Sequence, residues 1–161
     1  AMRHRSLTVW TAANPALPAG GVVGESKADV LARLDPRWVV PTALSPPGSL
    51  PDRVRAADDA GFPFPVILKP DAGERGVGVK QGHDRADVEK YLAENPGPVI
   101  VQPYHPGPFE AGVFYYRLPG EAHGRVYAIT DKVFPAVTGD GVSTLAELVR
   151  RHPRYRMQED V

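Results

Sequence analysis

Proline and glycine, 18 and 16 of the 161 residues, cut this chain so often that it can fold only as short elements joined by loops. The length fits one compact domain or two small ones, and a core of that size buries roughly two-thirds of the unfolded surface without covalent staples. Hydrophobic residues make up 42% and charged residues 24%, a globular balance. The lack of cysteine excludes a disulfide framework, a thiolate zinc site and a cysteine nucleophile. Lys+Arg and Asp+Glu number 19 each, so no net field draws the chain to nucleic acid or to an anionic membrane. The longest apolar runs, Val66 to Leu68 and Val99 to Val101, are far too short to span a bilayer, and no secretion signal opens the chain. The expectation is a cytoplasmic protein with no nucleic-acid or membrane partner. Ala1 before Met2 reads as a cloning scar, and the chain as a fragment of a longer protein.

The pattern of apolar residues predicts a short strand at 6–10, then a loop over 11–21. Ser26 and Asp29 form the start of a helix carrying Val30, Leu31 and Leu34, stopped at Asp35-Pro36. Residues 37–43 read as an edge strand containing a proline, and 45–52 as a stiff connector, the best candidate domain boundary. A second helix opens at Pro51, with Val54, Ala57 and Ala60 at helical spacing and Gly61 as its stop. Phe64 to Lys69 form a buried strand, 71–82 a glycine-rich loop in which Val77 and Val79 alternate as a strand resumes, and Asp84 caps a helix with Val88, Tyr91 and Leu92 on one face. Val99 to Val101 supply another strand, 111–118 and 124–131 a hairpin, and Thr144 with Glu147 a capping box on a last helix. The fold class that follows is α+β with a mostly antiparallel sheet.

The loop from Gly73 to Lys80 holds three glycines and a lysine, yet it is not a P-loop. That motif needs Lys and Ser/Thr directly after the last glycine, whereas here Val79 intervenes and Gln81-Gly82 follow. It also lacks the GxGxxG spacing. Two readings stay open from the loop itself, a permissive surface hairpin and a loop whose backbone approaches a ligand, with Lys69 at the end of the preceding strand.

The order Phe64-Pro65-Val66-Ile67-Leu68-Lys69-Pro70-Asp71, glycine loop, helix, then Val99-Ile100-Val101-Gln102-Pro103-Tyr104 with Gly107 and Glu110 beyond, resembles the ATP-grasp fold of carboxylate-amine ligases over residues 62–149. The resemblance implies that Lys69 contacts the α-phosphate and the adenine edge. Glu74, Arg75, Gly76 and Gly78 would then belong to a lid over the β- and γ-phosphates. Gln102, Pro103, Tyr104 and His105 would form the hinge that reads adenine, and Glu110 would hold the ribose hydroxyls. Pro103 offers a carbonyl but no N–H, so the hinge acceptor is assigned to Pro103 and the donor to the His105 backbone.

Lys132-Val133-Phe134-Pro135-Ala136-Val137-Thr138-Gly139-Asp140-Gly141-Val142-Ser143-Thr144 is similar to the segment R-x-P-A-x-V-x-G-D-G-x-x-T of cyanophycin-synthetase-like ligases in the same superfamily. By that likeness Lys132 reaches the γ-phosphate as the catalytic residue, and Thr138, Gly139, Asp140 and Gly141 shape the substrate side. The upstream segment Asn14 to Gly21 and Gly24 to Lys27 looks like a feature of uncharacterised ATP-grasp proteins, and it places Ser26 and Lys27 at a helix start open to an anion.

ATP-grasp ligases hold Mg²⁺ with late acidic residues and an Asn, a pattern this sequence lacks. ATP is therefore the expected ligand, with Mg²⁺ ligands outside this chain. Residues 1–50 are expected to form an N-terminal β-loop-α element with its linker, and 51–161 a partial ATP-grasp domain. The parent protein would join an amino-acid-like carboxylate to an amine through an acyl phosphate, and this chain would not ligate by itself. The alternatives are a non-catalytic module that binds a nucleotide or a partner, and a structural interaction domain that uses the basic tail from Arg150 to Arg156.

Overall fold

The computed structural model of the protein describes residues 8–21, 24–73 and 76–158. The chain is α+β and divides into two compact units, Ala1–His105 and Pro106–Val161, each with its own antiparallel sheet. Among the described residues no helix is long and apolar enough to cross a membrane.

The first unit holds four strands, β1 (Ala43–Ser45), β2 (Val66–Pro70), β3 (Lys80–Gly82) and β4 (Val99–Pro103), in the order β1-β4-β2-β3. Its helices are α1 (Lys27–Ala32), α2 (Leu50–Asp58) and α3 (Arg85–Glu94). Alternation along a strand sends successive side chains to opposite faces. Val66 and Leu68 of β2 and Val99 and Val101 of β4 turn to one face, where Val54 and Ala57 of α2 and Val88, Tyr91 and Leu92 of α3 close the core. Truncating Leu68, only 1% exposed, to alanine would cost about 2–5 kcal/mol. The helices begin where their caps dictate: Ser49 accepts the Asp52 N–H and Asp84 accepts the Asp87 N–H, each satisfying an otherwise orphaned donor.

Several expectations change here. Val9–Ala13 is a 3₁₀ helix rather than a strand, and positions 6 and 7 lie outside the described residues. With no partner strand, the backbone is satisfied locally, the Thr8 carbonyl accepting both the N–H and the hydroxyl of Thr11. Within 37–43, Pro36–Trp38 is a 3₁₀ turn whose Asp35 cap accepts the Arg37 N–H. The ladder starts only at Ala43, past Pro41, and β1 does lie at a sheet edge. Strand β2 opens at Val66 rather than Phe64, since Pro65 has no N–H to give. Val77 and Val79 precede β3 and are exposed.

Segment 45–52 is no boundary between the units, because it is bolted into the first. Buried Ser45 donates to the Arg53 carbonyl at 3.1 Å. Arg53, itself 3% exposed, gives its guanidinium to the carbonyls of Pro46 (3.2 Å), Leu92 (2.6 Å) and Gly97 (2.6 Å). The division at 105/106 thus differs from the expected division at 50/51.

The second unit carries the hairpin β5 (Ala111–Tyr116) and β6 (Arg125–Asp131), then α4 (Leu145–Arg151). A two-stranded ribbon is marginal by itself. This one gains edge-to-face contacts of Tyr127 with Phe114 (5.8 Å) and Tyr116 (6.5 Å). Gly124 is required by close approach: a Cβ there would lie 2.2 Å from the Tyr115 hydroxyl, which accepts the Gly124 N–H. The expected capping box on α4 forms in full between Thr144 and Glu147.

Candidate functional site

The face of the first sheet opposite its core brings Lys69 and Gln102 together. Ile67 pairs with Gln102 and Lys69 with Ile100, so Lys69 and Gln102 are diagonal neighbours, with Cα atoms about 7–8 Å apart. Gln102 is buried and oriented, its amide donating to the Thr42 hydroxyl at 2.7 Å. Lys69 is half-buried, and among the described residues its ammonium has no carboxylate within ion-pair reach. Burial lowers its pKa first, and the positive charge of Lys27 lowers it further. A partly desolvated ammonium is a group that an anion stabilises.

The glycine loop is held at both ends. At its start, the Lys27 ammonium donates to the carbonyls of Asp71 (3.0 Å) and Gly73 (2.7 Å). At its far end, Tyr91 of α3 donates to the Gly78 carbonyl at 2.6 Å. Gly78, at φ +76, packs so closely on Pro70 that a Cβ would come within 2.9 Å of its ring. Gly76 accepts the Val79 N–H in a turn between these anchors. Glu74 and Arg75 lie outside the described residues.

At the end of β4, the Tyr104 N–H is taken by the Pro65 carbonyl at 3.1 Å. Pro103 has no N–H to offer an adenine ring, and His105, two residues on, is exposed.

The helix start at Ser26-Lys27 holds an anion from the chain itself. The Asp71 carboxylate accepts the Ala28 N–H at 2.8 Å, so the expected opening for a substrate carboxylate there is filled. Arg53 and Asp71 were not legible as buried groups, since their partners stand far away in sequence.

The remaining candidates belong to the second unit. Lys132 and Glu110 form an exposed ion pair at 2.6 Å, and the Glu110 carbonyl accepts the Lys132 N–H. Asp140 caps its own turn, accepting from the N–H groups of Val142 (3.0 Å) and Ser143 (2.6 Å) and from the Ser143 hydroxyl (2.7 Å). These bonds, those from Ser143 foremost, push its pKa down to about 2. Thr138 and Gly139 are exposed, and Gly141 turns at φ +76. Among the described residues no three His, Cys, Asp or Glu side chains converge as a metal site. No protein-family model matches the sequence, and none of the curated proteins matches it.

Proposed function

We propose that this chain carries the nucleotide-binding part of an ATP-dependent carboxylate-amine ligase of the ATP-grasp type. The observation that carries the reading is the shared sheet face of Lys69 and Gln102, at the root of a glycine loop pinned by Lys27 and Tyr91. In this chemistry a carboxylate oxygen attacks the γ-phosphorus, ADP leaves, and the acyl phosphate is attacked by an amine that expels phosphate and leaves an amide. The protein's share is to position the groups and to neutralise charge.

Lys69 would offset phosphate charge, and the loop amides at Gly76 and Gly78 would donate to phosphate oxygens. Pro103 and His105 would read the adenine edge. In the second unit, Lys132 must exchange Glu110 for phosphate to act. Mg²⁺ bound with the nucleotide would be held by the phosphates and by carboxylates outside this chain.

A titration with ATP followed by backbone amide NMR tests the reading. Saturable shifts are expected at Lys69, Gly78, Gln102 and His105. Their absence, or shifts confined to other elements, would contradict it.

A further inference from the structure

Helix α1 has six residues and none is fully buried, so it depends on contacts outside itself. Asp71 supplies several of them. The Asp71 carboxylate accepts the Ala28 N–H (2.8 Å), and its carbonyl accepts the Lys27 N–H (3.3 Å) and the Lys27 ammonium (3.0 Å). Its own N–H donates to the Pro98 carbonyl at 3.0 Å, which fixes it to the segment entering β4. Asp71 is 7% exposed. Removing the carboxylate leaves the Ala28 N–H without this partner.

We propose that Asp71 is a positioning residue that seats α1 on the end of β2, and so keeps the Lys27 ammonium clasping Gly73 beside Lys69. Its effect on the site runs through Lys27. The positive charge of Lys27 lowers the Lys69 pKa. The sign of the response therefore separates this role from a direct one. The carbonyls that hold the Lys27 ammonium are backbone and stay in every variant; loss of the carboxylate bond to Ala28 loosens α1, draws the Lys27 charge away from them, and the Lys69 pKa rises. A carboxylate acting directly on Lys69 would, on removal, let that pKa fall. The consequence for a nucleotide, which rests on the proposed function, is a loop root no longer pre-set for phosphate.

The test is NMR titration of the Lys69 side chain in the full chain and in Asp71→Ala, Asp71→Asn, Lys27→Met and the Lys27→Met/Asp71→Ala double variant. Asp71→Asn keeps an acceptor for Ala28 and should behave as the parent. Asp71→Ala should raise the Lys69 midpoint, and in the Lys27→Met background it should add nothing further. Tripolyphosphate affinity should fall roughly two- to tenfold in Asp71→Ala. An unchanged or lowered Lys69 midpoint, or an equal shift with and without Lys27, overturns the inference. If Asp71→Ala does not fold, amide exchange in the parent chain decides: slow exchange at Ala28 supports the seat, and exchange as fast as an unstructured amide overturns it. The Lys69 readout needs no nucleotide, so a chain that binds no ATP would overturn the proposed function and leave this inference standing.

Discussion

The hydroxyl of Tyr91, on α3, donates to the carbonyl of Gly78 at 2.6 Å, tying a core residue to the glycine loop. The ring is 3% exposed, and burial holds the phenol above its ordinary range, so it is a neutral donor at pH 7. Tyr91→Phe keeps the packing and deletes one bond. It should destabilise the fold by about 0.5–1.5 kcal/mol in urea unfolding, and speed amide exchange around Gly78. Unchanged stability with unchanged exchange would show that the bond holds nothing.

Arg53 makes a sharper case. Its buried guanidinium serves three carbonyls on three segments, and removal leaves acceptors unpaired inside. Arg53→Met should cost about 1.5–3 kcal/mol or more by thermal or urea denaturation. Arg55, two residues on, makes an exposed side-chain contact with Asp52 at 3.7 Å. Arg55→Met should stay within about 0.5 kcal/mol of the parent. Similar costs at both positions would contradict the role given to Arg53.

Asp140 gives the pH dependence. Its folded pKa, about 2, lies below the ordinary 3.8, so its contribution is complete above pH 4 and is lost as pH falls through 2. The Ser143 amide should titrate with a midpoint near 2 in NMR, and Asp140→Asn should abolish that titration. A midpoint at 3.8 or above would mean that the turn bonds do not hold the carboxylate.

Much of this fold is written locally. Asp84 and the Thr144/Glu147 box mark helix starts through their side-chain caps, and the β-branched runs at Val66-Ile67 and Val99-Ile100-Val101 mark paired strands. The apolar stretch at Val9 carries no such information, because whether it becomes a strand depends on a partner elsewhere. Arg53 sits on a helix and reads as a solvated charge; only the folding back of Leu92 and Gly97 buries it. At the site, strand alternation puts Lys69 and Gln102 each on one face of its strand, and the pairing of β2 with β4 brings them together. The seat of Lys27 on Asp71 spans 44 residues and has no local signal. The Glu110–Lys132 pair spans 22 residues and has no local signal either.

The central claim is that Lys69 meets the phosphates of a bound nucleotide, and calorimetry tests it most directly. A non-hydrolysable ATP analogue titrated into the parent chain should give saturable binding. Lys69→Met keeps an unbranched stem of similar length and removes the charge. It should weaken binding by about 1.5–3 kcal/mol, roughly ten- to 150-fold. Equal affinity in parent and variant, or no binding by the parent, would contradict the account.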